Sequence, residues 1–547
     1  MAERRAALLI AGLAAAVSLA ARLAWRFDGL YGQDAFAYFR YARALWPWLL
    51  RGEPLPLYLW PAGYPLLVAL ALPLFGGQAM AGQAVSIASL AVAAACTFLF
   101  SRELLPDAPG GWLTAWVAGL AVALCGDALR ASLVIMSDAL ALACCAAALW
   151  ALARYSRTRR GRWLAAAAVA LAWGTITRWV CGLLAAPIVL FVLIERLTRD
   201  QGPRTKDQSS EPSLVFRLWS LSFRLPALAI HGAIAFALGA LIVIPQLLVS
   251  QATPAALSQH QWLIAWNIAN AWRRDFVTVD GAQHYRLPVG AYHLAHMAWP
   301  SFLFPLLALL CLPGTLWLMR RRRWPALVLL AGWPLILWLF LSGIPYENAR
   351  FILPALPALA ALAGLGFGWC YTLSLGISPP RHQDTKNKQT WCLGVLVVKA
   401  IGVVRSGCIR CWARVMLVAA LVASLAGGLA WGLRDYRNLV AYKNDQLALV
   451  EWARAQLPGG GVLITFGATL TLQHYTDYDV RELFYLDPPD LDALVRQPRP
   501  VYLLLDVGNI ETQWAGLRPW QDYRYLQQQP GLEAVGRRAP YTLFRVK

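Results

Sequence analysis

Ionisable residues cluster where long apolar runs give way to polar loops, and their types suit group transfer. Tyr31-Gly32-Gln33-Asp34-Ala35-Phe36-Ala37-Tyr38-Phe39-Arg40 places Asp34 just past the first apolar run, in a loop dense in aromatics and proline. A carboxylate there can act as a general base towards an acceptor hydroxyl or amine; it equally suits a helix N-cap before Ala35–Leu45. Asp138, in Met136-Ser137-Asp138-Ala139, opens another apolar run. An acid at membrane depth usually faces a cavity and has a task, although a helix N-terminus also favours one. Arg178, in Thr175-Ile176-Thr177-Arg178-Trp179, and Arg350, closing Tyr346-Glu347-Asn348-Ala349-Arg350, occupy tight turns. A guanidinium in such a turn can grip a phosphate by forked hydrogen bonds or reach for lipid headgroups.

Other polar groups carry less. His293 and His296 could share a helix face and bind a metal, but no nearby carboxylate completes a motif. The ten cysteines show no metal-ligand or disulfide spacing. Cys96, Cys125, Cys144, Cys145 and Cys181 lie in apolar runs, where cysteine is a small hydrophobe. Cys408 and Cys411 make an isolated C-x-x-C with neither a second pair nor a βαβ context. No residue set is assigned to a metal.

These residues need elements to position them, and composition says which. Of 547 residues, 59% are hydrophobic and 14% charged, with mean hydropathy +0.49; a soluble chain carries about a quarter charged residues. Apolar runs recur to about residue 432: Ala6–Trp25, Ala79–Phe100, Trp112–Gly126, Leu133–Leu152, Trp163–Ile176, Val180–Ile194, Ala227–Val249, Trp299–Leu318, Pro325–Leu341, Phe351–Trp369 and Val415–Trp431. Each must be helical, because an open strand in lipid leaves its backbone unsatisfied. Met1–Ala21, with Arg4 and Arg5, reads as an uncleaved first helix rather than a signal peptide. The formal charge is +20. Because Arg434–Lys547 balances 13 basic against 13 acidic residues, the whole excess lies among the apolar runs. Membrane orientation and anionic lipid explain that placement, and nucleic acid does not.

One further run, Trp60–Phe75, decides the topology. It contains Pro61, Gly63, Pro65 and Pro73, which spoil a clean helix. Counted as a span, it would put the basic loops Arg157–Arg162 and Arg320–Arg323 outside. Read as re-entrant or interfacial, it leaves them inside with Arg4, Arg5, Arg196–Lys206 and Arg381–Arg414. The expectation is about eleven spans, N-terminus inside and C-terminus outside, with long outer loops at Arg26–Leu59 and Ser250–Ala298. Arg26, Arg40, Arg43 and Arg51 then lie outside against the charge trend, which suggests an anionic ligand or headgroup anchoring. Pro379–Arg410 reads as an inner loop.

The texture changes after Trp431. Val462–Phe466 and Val501–Leu505 read as buried strands. Asp445–Gln456 reads as an amphipathic helix, with Gly459-Gly460-Gly461 turning into the first strand. The chain therefore divides into a polytopic all-α membrane domain, residues 1–433, and a small extracytoplasmic α/β domain, residues 434–547.

Taken in order, these loops resemble the GT-C superfamily of membrane glycosyltransferases, in particular the bacterial branch related to protein O-mannosyltransferases and lipid A aminoarabinose transferases. The matching pieces are Gly32-Gln33-Asp34, Trp60-Pro61-Ala62-Gly63-Tyr64-Pro65-Leu66-Leu67, Ser137-Asp138-Ala139-Leu140, Thr177-Arg178 and Glu347-Asn348-Ala349-Arg350-Phe351-Ile352-Leu353-Pro354-Ala355-Leu356-Pro357. The resemblance implies direct, inverting transfer of a sugar from a polyprenyl-phosphate donor to a lipid, glycan or protein acceptor, outside the cytoplasmic membrane. By position, it makes Asp34 the base and Asp138 the second outer-loop acid, and puts Arg350 where a cation can stand near the lipid phosphate; Arg178 and Arg40 join Arg350 as candidates for the donor phosphate, and Tyr38, Tyr64, Tyr346 and Glu347 are candidates for substrate binding. Gln33 stands where many members have a second acid, and Ala62 where a second proline is common; the first departure leaves a divalent metal open.

The chemistry is coherent without the family. A lipid-phosphate leaving group needs no sugar-nucleotide pocket, and the sequence has no Gly-rich phosphate loop. Transfer needs a base for the acceptor and cations for the departing phosphate. A transporter or flippase is the alternative, but transporters place polar groups near the midplane on broken helices, whereas these gather at one face. The C-terminal region also admits a partner-binding role.

Overall fold

The computed structural model describes residues 1–199, 214–251, 265–278, 281–375, 407–457, 459–528 and 531–547. The expected inner loop Pro379–Arg410, apart from its last helical residues, lies outside the described residues, as do most of Arg196–Lys206 and the side chains of Cys408 and Cys411.

The apolar runs form helices, and a helix also fills most of the expected outer loop Arg26–Leu59 as α2: α1 Ala2–Trp25, α2 Gly32–Arg51, α3 Gly63–Ala71, α4 Met80–Leu104, α5 Trp112–Ala123, α6 Gly126–Leu133, α7 Asp138–Thr158, α8 Gly161–Thr177, α9 Ala185–Arg199 and α10 Leu214–Gln251. Further helices follow at Val289–His296, Pro305–Arg320, Trp324–Ser342, Leu356–Ser374 and Gly407–Gln456. Among the described residues, eight helices are long and apolar enough to cross a membrane, or nine if α5 and α6, bent by 48°, make one span. Two of the expected runs form shorter helices, α8 with 17 residues and Pro305–Arg320 with 16.

Ion pairs tie the helix ends together on one face. Arg102 near the end of α4 meets Glu3 at the start of α1 at 3.5 Å, and Arg154 and Arg157 at the end of α7 both reach Glu103. Arg159 pairs with Glu195 of α9 at 3.0 Å, and Arg323 pairs with Asp107 at 2.6 Å. At the other end, Arg22 of α1 bonds Gln83 near the start of α4 at 2.7 Å. The end of α1 and the start of α4 therefore share a face, and everything between them returns to it. Within that stretch Trp60–Phe75 forms α3 and a 3-10 turn, Leu72–Phe75. With the 3-10 turn, this apolar helix is 13 residues long, shorter than the helices long enough to cross.

Small residues allow the closest approaches, as expected where helices pack without a hydrophobic driving force. A Cβ on Gly126 of α6 would lie 2.6 Å from the Gly432 Cα, so neither position has room for a side chain where helix Gly407–Gln456 crosses α6. Helix α10 lies at the other extreme. Its Ile230, Phe236, Leu241 and Leu248 are exposed, forming a surface fit for lipid.

The helix Gly407–Gln456 runs through the expected division at residue 434 without a break, so the last apolar run and the amphipathic Asp445–Gln456 are one rod of 50 residues. Its packing changes partner along the way. Tyr436, Leu439 and Val440 belong to the core formed with α2 and α3, whereas Leu449, Val450 and Ala453 belong to the C-terminal core. Beyond it a five-stranded sheet has the order β4-β3-β5-β7-β6, comprising β3 Val462–Thr465, β4 Asp479–Glu482, β5 Val501–Asp506, β6 Leu532–Arg538 and β7 Tyr541–Val546. The two apolar strands foreseen are its buried centre, parallel to each other. The 250–298 loop carries its own hairpin, β1 Asp275–Thr278 and β2 Gly281–His284.

Candidate active site

Helix α2 begins at Gly32, whose φ of +61° suits glycine, and sets Asp34 in its first turn, where the helix dipole favours a carboxylate. Helix α7 begins with Asp138 for the same reason. Arg178 ends α8 with extended backbone. Asn348 caps the 3-10 turn Ala349–Ala355, its Oδ1 accepting the Arg350 N–H at 3.1 Å and the Arg350 Nε at 3.3 Å. That double bond aims the guanidinium. The proline-containing motif before α3 supports the same corner: a Cβ on Gly63 would meet Thr177 Oγ1 at 2.6 Å, so only glycine lets this turn pack on the end of α8.

Four sequence-distant residues converge. Arg350 Nη2 lies 3.4 Å from Asp34 Oδ2, and its Nη1 lies 3.9 Å from Asp138 Oδ2. Arg178 Nη1 lies 2.5 Å from Asp138 Oδ1, donates to the Arg350 carbonyl at 3.1 Å, and its guanidinium lies 4.8 Å from the Phe351 ring centre. The two acids differ in environment. The Asp138 side chain is 2% exposed and engaged by both arginines, whereas that of Asp34 is 34% exposed.

Asp34, Asp138, Glu347 and Arg350 line a cavity of about 720 Å³. Burial raises the Glu347 carboxyl to about 7, so near neutral pH it can donate or accept a hydrogen bond. Residues missed in the sequence form much of the remaining wall: Asp127 and Arg130 of α6, Tyr292, and Asp435 and Asn438 of the long helix. Asp127 Oδ2 bonds His296 Nε2 at 2.8 Å, and its Oδ1 lies 3.5 Å from Arg130 Nη2. The signal was present, since ionisable residues stand at membrane depth immediately after Gly126.

Several expected contacts lie elsewhere. Arg178 stands behind Arg350 and outside the cavity lining. Arg40 is exposed and donates to Gln473 Oε1 at 2.6 Å; Arg43 lies over Phe39, and Arg51 pairs with Glu53. The Tyr38 hydroxyl bonds Ser137 Oγ at 3.0 Å, inside an aromatic cluster with Tyr58, Trp60 and Tyr64, and burial raises its pKa so that it stays protonated. Tyr64 is fully buried, its hydroxyl bonded to the Gly82 carbonyl and Ser86. Tyr346 packs against Phe351. Of these tyrosines none lines the cavity; they hold its walls.

Asp127, Glu347 and Asp435 bring further carboxylates to the cavity that holds Asp34 and Asp138. The charges of Asp34 and Asp138 are taken by guanidinium groups, and among the described residues no three His, Cys, Asp or Glu side chains form a metal-binding group. His296 is occupied by Asp127, and burial pulls His293 down to about 4, leaving it neutral. The polar groups gather at one end of the bundle, those of the bent α5–α6 pair included, and not at its middle, so the transporter reading is not favoured.

Comparison with known proteins bears on the fold that carries this cavity. The family described as dolichyl-phosphate-mannose-protein mannosyltransferase matches residues 60–205, which include Trp60–Leu67, Asp138 and Arg178. No curated protein matches the chain in sequence. Among solved structures, ArnT from Cupriavidus metallidurans bound to undecaprenyl phosphate is similar at 16% identity and TM-score 0.57, covering 98% of this chain and 97% of that one. The oligosaccharyltransferase of Archaeoglobus fulgidus in its apo form is similar at 13% identity and TM-score 0.56, covering 92% of this chain and 70% of its own. Its complex with an inhibitory peptide and a dolichol-phosphate matches at 12% identity and TM-score 0.53, over the same 92% and 70%. The fold is that of the GT-C membrane glycosyltransferases, as the order of the loop motifs suggested.

Proposed function

We propose that this chain is an inverting glycosyltransferase that moves a sugar from a polyprenyl-phosphate donor to a lipid, glycan or protein acceptor at the extracytoplasmic face. The observation that carries the reading is the convergence of Asp34 and Arg350 on one cavity wall, with Arg350 held by the buried Asp138. Asp34 accepts the proton of the acceptor hydroxyl or amine, and the acceptor atom attacks the anomeric carbon. The bond from that carbon to the phosphate oxygen breaks, and the polyprenyl phosphate leaves with the electron pair, its charge met by Arg350. A cation fixed where charge develops lowers the barrier without reorganising during the reaction. The undecaprenyl phosphate and dolichol-phosphate named with the structural neighbours are ligands of the class this cavity would take.

Purified protein in liposomes, given radiolabelled polyprenyl-phosphate sugars and a cell-envelope lipid and glycan extract, is expected to release free polyprenyl phosphate and label an acceptor. Donor that stays intact with every sugar offered would overturn the reading.

We further propose eleven crossings, adding α8, the bent α5–α6 pair and Pro305–Arg320 to the longer helices, with the C-terminal domain outside. The basic loops on the face opposite the cavity set this orientation. Reporter fusions after Arg160 and Arg323 are expected to read cytoplasmic, and a fusion after Lys547 external. An external signal at Arg323 would sink the scheme.

A further inference from the structure

The helix that carries Asp34 is gripped by the C-terminal domain at the neighbouring residue. Gln33 meets the helix Thr469–Tyr475 twice: its Oε1 accepts the Leu470 N–H at 2.7 Å, and its Nε2 donates to Thr471 Oγ1 at 3.2 Å. The first bond satisfies one of the free N–H groups at a helix start. Two turns along the same face of α2, Arg40 Nη1 donates to Gln473 Oε1 at 2.6 Å. Between them the Phe36 ring packs on His474 at 5.3 Å and on Tyr475 at 5.9 Å. Asp28, just before α2, accepts the Tyr475 hydroxyl at 2.9 Å and lies 3.4 Å from Lys443 Nζ. Gln473 Nε2 in turn donates to the Val480 carbonyl at 2.8 Å, which fixes the gripping helix to strand β4.

Gln33 borders the cavity beside Asp34 while its amide reaches out to the domain. Residues 33, 36 and 40 point at the domain, and position 34, about 100° further round the helix, faces the cavity and Arg350. Elsewhere the start of α2 is held by its buried side chains, by the Tyr38–Ser137 bond and by the Asp34–Arg350 pair; Tyr31 makes no side-chain cap bond, and Gly32 opens the helix with positive φ.

We propose that the C-terminal domain is a positioning element for the transfer reaction, with Gln33 and the Arg40–Gln473 pair as the residues through which it sets the Asp34 carboxylate. The proposal rests on the reading of Asp34 as the base. It also gives a role to the amide at position 33: a group that both donates and accepts makes two bonds to the helix Thr469–Tyr475. A base displaced by about 1 Å can lose on the order of 100-fold in rate, so a grip this close to the carboxylate has leverage on turnover.

The test uses full-length protein in liposomes with a polyprenyl-phosphate sugar, and compares Gln33→Ala, Gln33→Glu and Gln473→Ala with the parent. Gln473 is outside the cavity lining, so its loss reports docking alone. Gln33→Ala and Gln473→Ala are each expected to lower kcat by roughly 3- to 10-fold, the scale of one or two net hydrogen bonds, with donor KM within about 2-fold of the parent on the same scale. Gln33→Glu should recover most of the loss, since its carboxylate still accepts from Leu470 N–H and can take the Thr471 hydroxyl as a donor. Hydrogen exchange on the same proteins should show faster exchange over residues 33–38 in both alanine variants, with the amides of α7 unchanged. Loss of turnover in Gln33→Ala beside full turnover in Gln473→Ala would overturn the proposal, since Gln33 would then act on substrate. Unchanged exchange over α2 in both variants would overturn it independently of activity. A parent protein that transfers no sugar would instead defeat the transferase reading, while the exchange result would still measure the docking.

Discussion

Asp34→Asn is expected to abolish most sugar transfer while leaving donor binding intact. The substitution keeps size and most hydrogen bonding but removes the ability to hold the acceptor's proton, and a lost general base costs ~10²–10⁴-fold in rate. Two geometric facts favour Asp34 over Asp138 for this task. Asp34 is 34% exposed and makes a loose contact with Arg350 at 3.4 Å, so an acceptor can reach it. Asp138 is 2% exposed and held 2.5 Å from Arg178, so its charge is already spent on orienting cations. The alternative role, a helix cap, fits poorly: Tyr31 occupies the N-cap position of α2, and Asp34 falls inside the first turn. Asparagine would in any case serve a capping role about as well as aspartate. Donor affinity should survive because Arg350 keeps Asp138 at 3.9 Å and Asn348 as partners. Initial rates at saturating donor, with donor binding measured separately on the same protein, decide the matter. Full transfer by correctly inserted Asp34→Asn protein would remove Asp34 from the mechanism and make Asp138 the next candidate.

The helices were readable because lipid forces an apolar segment to satisfy its own backbone, so hydropathy and helix run together. Trp60–Phe75 stood apart for the opposite reason: Pro61, Pro65 and Pro73 interrupt an apolar run, and the structure builds from it only the short helix α3 and a 3-10 turn. The acids and arginines that the structure brings together stood out because charge at a membrane boundary is expensive enough to imply a partner. Their partners could not be found that way. Tyr38 and Tyr64 have the composition of a sugar-binding surface, yet which way a ring faces is decided by Ser137, Gly82 and Ser86, remote in sequence. Asp127 and Arg130 escaped because they fall between two apolar runs, where a break in hydropathy reads as a loop rather than as a bent helix. Arg40 stood out as a cation on the wrong side of the membrane, and its partner Gln473 lies 433 residues away. The break at residue 434 was a change of composition along a helix that itself continues to Gln456. Sequence texture reports what surrounds a segment, and here lipid gives way to protein without the backbone changing course.

Arg350→Ala and Arg178→Ala are expected to fail in different ways, although the sequence placed both arginines at the donor phosphate. Arg350 lines the cavity and is 26% exposed, with Asp34 and Asp138 both within 4 Å. A charge-assisted contact from it to a phosphate is worth roughly 1.5–3 kcal/mol, so its loss should weaken donor binding by roughly 10- to 150-fold on that scale. Turnover should fall as well if the contact tightens while the phosphate leaves. Arg350→Lys should recover only part of the loss, because an ammonium supplies the charge but not the planar fork. Arg178 is 15% exposed, sits behind Arg350, and is bound to the Asp138 carboxylate and the Arg350 carbonyl. Removing it leaves a carboxylate buried without its nearest cation, a change that typically costs 3–5 kcal/mol of stability. Arg178→Ala should therefore appear first as a lower melting temperature and poorer yield. Because Asp138 and Arg178 form one buried unit, Asp138→Ala combined with Arg178→Ala should be less destabilising than the two single losses added together. Donor binding to purified protein in nanodiscs, paired with thermal melts of the same samples, separates the two roles. If Arg350→Ala bound donor normally but melted early, while Arg178→Ala melted normally but lost donor, the assignments would have to be exchanged.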